Sequence, residues 1–296
     1  MQLSANRNKI VHSMEDIQHT KDLTQIATHI RIETLKSLVE AGSGHSAGSL
    51  GMADIFAVLY FGGVTSYDPQ KPLWIERDRV VLSNGHVCPG FYATLALAGY
   101  FPVEELSTLR KLGSRLQGHP HRESLSGLET TSGPLGSGLS QACGMAYALT
   151  MDQRNQHVFV LMSDGEHQEG NTWEAILFAA KNRLGNVIAI VDRNNIQIDG
   201  FTEDVMPLET INEKYDSFHW HVQDVDGHNH EALIDAINQA KSEYQRPSVI
   251  VAHTIPGKGV EFMEELPEWH GKTPSIGETV EALHELRSLA GEIEYD

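Results

Sequence analysis

Four short runs of aliphatic residues, VVL (80–82), HVFVLM (157–162), VIAIV (187–191) and SVIVAH (248–253), constrain this chain more than any other feature. Each is apolar almost without interruption, as strands covered on both faces require; a strand with one wet face alternates polar and apolar residues. Between the second and third runs, Trp173, Ile176, Leu177, Ala180 and Leu184 recur at the spacing of one helix face, and Gly185 supplies a stop. Strand, helix and strand in this order make a βαβ unit, whose right-handed crossover sets the two strands parallel. HEALIDAINQAKSEY leads into SVIVAH in the same way. The expected fold is therefore α/β: a doubly wound, mostly parallel sheet with helices on both faces.

Ile26, Ile30, Leu35, Leu38 and Val39 predict a helix that the Gly-rich stretch AGSGHSAGSLG breaks, and MADIFAVLYF resumes as a very apolar helix. Val280, Leu283, Leu286 and Leu289 predict a short final helix. Residues 1–20 are expected to form a flexible arm, and residues 21–296, with no linker or repeat, one domain. Lys and Arg total 22 against 40 Asp and Glu, and the net charge of -18 disfavours nucleic acid and anionic membranes as partners. An anionic ligand would need local donors or a bridging cation. Cys88 and Cys143 form no CxxC, and no signal-like or spanning apolar run occurs, so the expected setting is cytoplasmic.

After the four runs come SNGH, SDGEHQEG, DRNNIQIDG and TIPGKGVEFMEELPEWHG. In a parallel sheet these loops leave at one edge, the carboxyl ends of the strands, where open α/β sheets bind ligands. Any one of them is ordinary turn chemistry. Together they bring His86, Asp164, Asn194 and His270 toward one place. Asp164 and Asn194 offer a carboxylate and an amide oxygen across one βαβ unit, a donor set suited to Mg²⁺ or Ca²⁺ when phosphate oxygens complete the shell. Zinc is disfavoured, because no cysteine cluster accompanies the histidines, and the pairs His119/His121, His219/His221 and His228/His230 read as surface or core residues. TTSGPLGSGLSQACGMAYAL (130–149) is neither GxGxxG nor GxxxxGK[ST]. Gly133, Gly136 and Gly138 fit a tight turn and close helix packing as well as a backbone approach to a flat or phosphorylated ligand.

SDGEHQEGNTWEA followed by NVIAIVDRNNIQIDG closely resembles the two-part thiamine diphosphate motif, an Asp-Gly after one strand and an Asn after the next. SGHSAGSLGMAD, VVLSNGHVCPGFYATLALAGYFP, GHPH, TTSGPLGSGLSQACGMA and GKGVEFMEELPEWHGK resemble transketolase segments in the same order, covering about residues 23–275. The resemblance implies the diphosphate-binding domain of the thiamine diphosphate fold. It gives Asp164, Asn194 and the Ile196 carbonyl to the divalent cation, and His86, Gly133, Pro134, Leu135, Gly165, Asn194 and His270 to the cofactor. His45 and His119, with His270, match histidines that line the substrate channel and assist proton transfers at sugar hydroxyls. Glu169 matches a subunit-interface glutamate. Ser163 departs from the glycine usual before Asp-Gly, and SGHSAGSLG lacks the proline of many full-length enzymes. Glu166 reads as a turn residue, and Lys258 as an ordinary exposed lysine.

Full-length transketolases carry a further, pyrimidine-binding domain whose glutamate activates the cofactor, and the chain is too short to include it. The resemblance thus implies the N-terminal subunit of a split transketolase, working as α₂β₂ with a C-terminal partner. It would pass a two-carbon ketol unit from a ketose phosphate such as xylulose 5-phosphate to an aldose; branched or sulfonated sugars are alternatives. Two other readings are the α subunit of a 2-oxoacid dehydrogenase and a non-catalytic thiamine diphosphate-binding subunit.

Overall fold

A computed structural model describes residues 14–289. Helix α1 runs Met14–Ala41, α2 Ala47–Gly51 and α3 Ala53–Phe61, followed by strand β1 Arg79–Leu82 and helix α4 Cys88–Leu97. After a long irregular stretch come α5 Ser137–Met151, β2 Val158–Ser163, α6 Gly170–Lys181 and β3 Val187–Arg193. A small hairpin of β4 Ile196–Gln197 and β5 Gly200–Phe201 leads into α7 Thr202–Val205 and α8 Ile211–Ser217. The chain continues with β6 His221–Asp226, α9 His230–Lys241, β7 Ser248–His253 and α10 Ile276–Leu289.

The main sheet has the order β1-β2-β3-β7-β6, with every neighbouring pair parallel. Alternation along each strand sends residues to opposite faces. Phe159, Leu161, Ile188, Ile190 and Ile250 pack under α1, α3, α4 and α9, while Val158, Val160, Met162, Val187, Val191 and Val251 pack under α5, α6 and α8. Both sides of the central strands are covered, which is why their sequences are apolar throughout.

The four expected strands are β1, β2, β3 and β7. Strand β6, HVQDVD, is the addition: it lies at the sheet edge with partly exposed side chains, and an edge strand needs no continuous apolar run. The start of the chain also differs from expectation. Residues 1–13 of the expected arm lie outside the described residues, but residues 14–20 are the first turns of α1, continuous with the helix that Leu23, Ala27 and Ile30 anchor in the core. Of the expected stripe on α10, Leu286 is buried and Leu283 packs against the core, but Val280 is exposed, and Ala282 joins the buried face instead. Among the described residues, no helix is long and apolar enough to cross a membrane.

One buried polar cluster fastens the helical layer to the sheet. Asp54 on α3 accepts from Arg31 of α1 at 2.5 Å, and its carboxylate also meets His228 at 2.7 Å and His230 at 2.8 Å. Burial works against the charge, but Arg31 and the two histidines prevail and hold Asp54 well below the usual carboxylate range. Two of the i, i+2 histidines are thereby accounted for as structural.

Candidate active site

Parallel strands bring the loops after β1, β2 and β3 side by side, and above them lies a cavity of about 320 Å³. Its walls include His45, His86, His119 and His270, with Gly133, Leu135, Gly165, Glu169 and Ile196. Of the residues expected to meet at this sheet edge, His86 and His270 line the cavity, whereas Asp164 and Asn194 do not; His45 comes from the turn between α1 and α2, and His119 from the stretch between α4 and α5. Gln168, Gln197 and Ile198 also line it; they sit inside the polar loops, but no motif singles them out. Pro134 is exposed and is not part of the wall, and Lys258 pairs with Glu264 at 3.6 Å away from it.

Three of the histidines pack against one another. Ring centroids are 5.2 Å apart for His45 and His86, 5.6 Å for His45 and His270, and 5.1 Å for His86 and His270. Burial, with the neighbouring His270, Arg110 and His119, pushes His45 down to about 4. Burial likewise lowers His86 well below its usual value, and lowers His119 and His270. Each ring is thereby shifted toward its neutral form, which can accept or relay protons. Among the described residues, His45 Nδ1 and His270 Nδ1 are buried without a hydrogen-bond partner, as is Ser132 Oγ beside the Gly133 turn. Unpaired buried polar atoms are costly, so the two on the cavity wall, on His45 and His270, fit a polar ligand.

Asp164 caps the turn at the end of β2 and is 0% exposed, beneath the cavity floor. Its Oδ1 accepts from the Gly165 amide at 2.7 Å; its Oδ2 accepts from the Asn195 amide at 2.8 Å and from Arg193 Nη1 at 2.9 Å. A carboxylate has about four acceptor positions, so one remains for a cation. Burial pushes Asp164 up to about 6 against the pull of Arg193 and these amides. Asn194, 5% exposed, accepts from the Ile196 amide at 3.0 Å through Oδ1, which keeps a second lone pair. Among the described residues, no three His, Cys, Asp or Glu side chains are grouped to hold a metal. The donors that fit a cation are the mixed oxygen set of Asp164, Asn194 and the Ile196 carbonyl, which suits a hard ion that also takes phosphate oxygens.

Two residues here escape sequence reasoning. Arg193, 2% exposed, reaches Asp164, Thr202, Glu203 and Glu209, with 2.6 Å to Glu209 Oε1. Asp192, fully buried beside it, accepts from Asn194 Nδ2 at 2.7 Å and from the Thr254 hydroxyl. The available signal was a charged pair, DR, closing an apolar strand, where each charge needs a partner. Glu166 also differs from its expected turn role: it is completely buried and hydrogen-bonded on both carboxylate oxygens. Glu169 is exposed at the cavity rim.

Fold and cavity together define a doubly wound α/β protein with a cavity at the carboxyl edge of the sheet, where such sheets bind ligands. A family model described as transketolase, thiamine diphosphate binding domain, matches residues 23–288. The chain belongs to the transketolase family, and its match lies in that domain. It is 45% identical over 243 residues to a 6-deoxy-6-sulfo-D-fructose transketolase subunit of Clostridium sp. (strain MSTE9), covering 82% of this chain and 88% of that one. It is 37% identical over 263 residues to an apulose-4-phosphate transketolase subunit of Phocaeicola vulgatus, covering 88% and 93%. The solved transketolase of Leishmania mexicana superimposes with a TM-score of 0.84 at 33% identity, over 93% of this chain and 42% of that chain. The chain thus spans about two fifths of that full-length enzyme. The relationship these matches show is to transketolase.

Proposed function

We propose that this chain is the diphosphate- and metal-binding subunit of a two-chain transketolase. It transfers a two-carbon ketol unit from a ketose to an aldose, with thiamine diphosphate and Mg²⁺ or Ca²⁺ as cofactors. The observation that carries the reading is the convergence of four histidines on one cavity, whose wall also includes Ser163, Gly165 and Ile196, close in the chain to the buried Asp164 and Asn194. A second polypeptide supplies the pyrimidine-binding domain, and the two assemble as α₂β₂ in the cytoplasm. Relatives named as transketolase subunits, matched over most of their length, support this division.

Asp164, Asn194 and the Ile196 carbonyl would hold the cation, and with it the diphosphate. Gly165, without a Cβ, leaves the backbone open to the ligand, and the turn at Gly133 and Leu135 forms the adjoining wall. When bound, the cofactor supplies a nucleophilic carbon and an electron sink for carbon–carbon cleavage. His86 and His270 offer ring nitrogens to hold it in place. His45 and His119 take and return protons at the sugar hydroxyls, which their neutral state allows. Glu169 at the rim meets the partner subunit. Two relatives are named for a sulfonated and a phosphorylated ketose. On that support the substrate class is a ketose with a terminal anion, as in pentose phosphate chemistry.

The test is titration of thiamine diphosphate with Mg²⁺ into the reconstituted pair. Asp164→Ala is expected to abolish metal-dependent cofactor retention; because it also strands the buried Arg193, it is compared with Arg193→Met, which breaks the same ion pair but keeps the carboxylate and should retain more cofactor. Unchanged affinity in Asp164→Ala would remove the cation assignment.

A further inference from the structure

We propose that Glu166 is a positioning residue of the cofactor cradle: its carboxylate fastens the turn that ends at Gly136 to the ends of β1 and β2, and so sets the affinity for thiamine diphosphate. This rests on the cofactor reading above and adds a residue that the reading leaves without a role.

One carboxylate oxygen, Oε1, accepts from both the Ser83 hydroxyl and the Gly136 amide, the latter at 2.7 Å. The other, Oε2, accepts from the Ser163 amide at 2.9 Å. The Glu166 carbonyl takes the Thr172 hydroxyl at 2.6 Å. Three separate segments are therefore joined by one side chain: Ser83 follows β1, Ser163 ends β2, and Gly136 caps α5. Each leads directly to the candidate site. Gly133 and Leu135 of the turn line the cavity, Ser163 precedes Asp164, and Ser83 lies three residues before His86.

The junction has no slack. Gly136 has φ +77°, and a Cβ there would stand 2.2 Å from Asn171 Oδ1; a Cβ on Gly138 would stand 2.4 Å from Ser83 Cβ. Close packing fixes how near the segments lie, but it does not fix the rotation of the turn about Gly136. The hydrogen bonds to Glu166 do. Among the described residues no basic side chain bonds to this carboxylate; its charge is met by amides and a hydroxyl. Deleting the carboxylate leaves the Gly136 and Ser163 amides and the Ser83 hydroxyl as buried donors without an acceptor. They can recover partners only if the turn moves. An apolar filler could pack the space without holding the turn, so the role is directional rather than volumetric.

The experiment compares Glu166→Ala, Glu166→Gln and Ser83→Ala in the full chain reconstituted with its partner. It measures thiamine diphosphate dissociation in the presence of Mg²⁺, melting temperature, and ketol-transfer kinetics at saturating cofactor. Glu166→Gln keeps one oxygen able to serve both Ser83 and Gly136, and loses only the Ser163 contact. Glu166→Ala is expected to weaken cofactor binding about 10–100-fold, the range seen for outer-shell partners of a bound group. Glu166→Gln and Ser83→Ala are expected to fall in between. The KM for the donor sugar should be unchanged, and kcat should largely recover at saturating cofactor. Wild-type affinity in Glu166→Ala would overturn the proposal. So would losses that track melting temperature with Gln no better than Ala. Wild-type protein that binds no thiamine diphosphate would instead overturn the cofactor reading beneath it.

Discussion

Asp192 accepts a hydrogen bond from the side-chain amide of Asn194 at 2.7 Å, and this bond decides which end of the amide is free. With Nδ2 committed to a carboxylate, Oδ1 is turned to the Ile196 amide and to any cation between Asn194 and Asp164. Asp192 is itself held by Thr254, and burial pushes it up to about 7 despite that bond. Asp192→Leu keeps the branched side-chain skeleton but removes the acceptor and frees the Asn194 amide to rotate. Apparent Mg²⁺ affinity, measured by titration with thiamine diphosphate present, should weaken about 10–100-fold. Asp192→Asn, which can still accept from Asn194, should cost much less; equal losses in the two variants would contradict the orienting role.

Arg193 and Asp164 form an ion pair at 2.9 Å with both side chains almost wholly inaccessible. Removing one partner of such a pair strands the other, at a cost of about 3–5 kcal/mol. Arg193→Met should therefore lower the unfolding free energy of the full chain by that order in a denaturant titration. Glu203 and Glu209, the other partners of Arg193, are partly exposed, so replacing either should cost about 1 kcal/mol or less. A loss from Arg193→Met as small as those would mean that solvent already screens the pair.

His45 offers a pH test. Its folded value is lowered to about 4, whereas an exposed histidine titrates near 6.5. Between these values the unfolded chain binds a proton that the folded chain refuses, so stability falls as pH drops from roughly 6.5 toward 4. His45→Gln should reduce that slope, and imidazole NMR should find His45 still neutral at pH 5.5. A midpoint near 6.5 would show that the ring is solvated and that the cavity does not control its protonation.

The sheet was legible because its central strands are buried on both faces and so carry an unbroken apolar signal. Strand β6 was not, since HVQDVD occupies an edge where side chains remain partly wet. At the site, His45, His86, His119 and His270 could be named from their motifs, and the parallel order explains why the loops of His86 and His270 meet; it does not account for His45 and His119, which come from segments between helices. Glu166, Asp192 and Arg193 could not. Their significance lies in partners 29 to 83 residues away for Arg193–Asp164, Asp192–Thr254 and Glu166–Ser83, and a short polar loop looks the same in sequence whether its carboxylate faces water or three buried donors.

The central claim, a chain that clamps the cofactor but depends on a second polypeptide for catalysis, is tested most directly by ketol-transfer activity of the purified full chain. The assay runs with thiamine diphosphate and Mg²⁺, before and after addition of a separately produced pyrimidine-domain subunit. The account expects no transfer by the chain alone and turnover on reconstitution. Robust transfer by the single purified chain would contradict it.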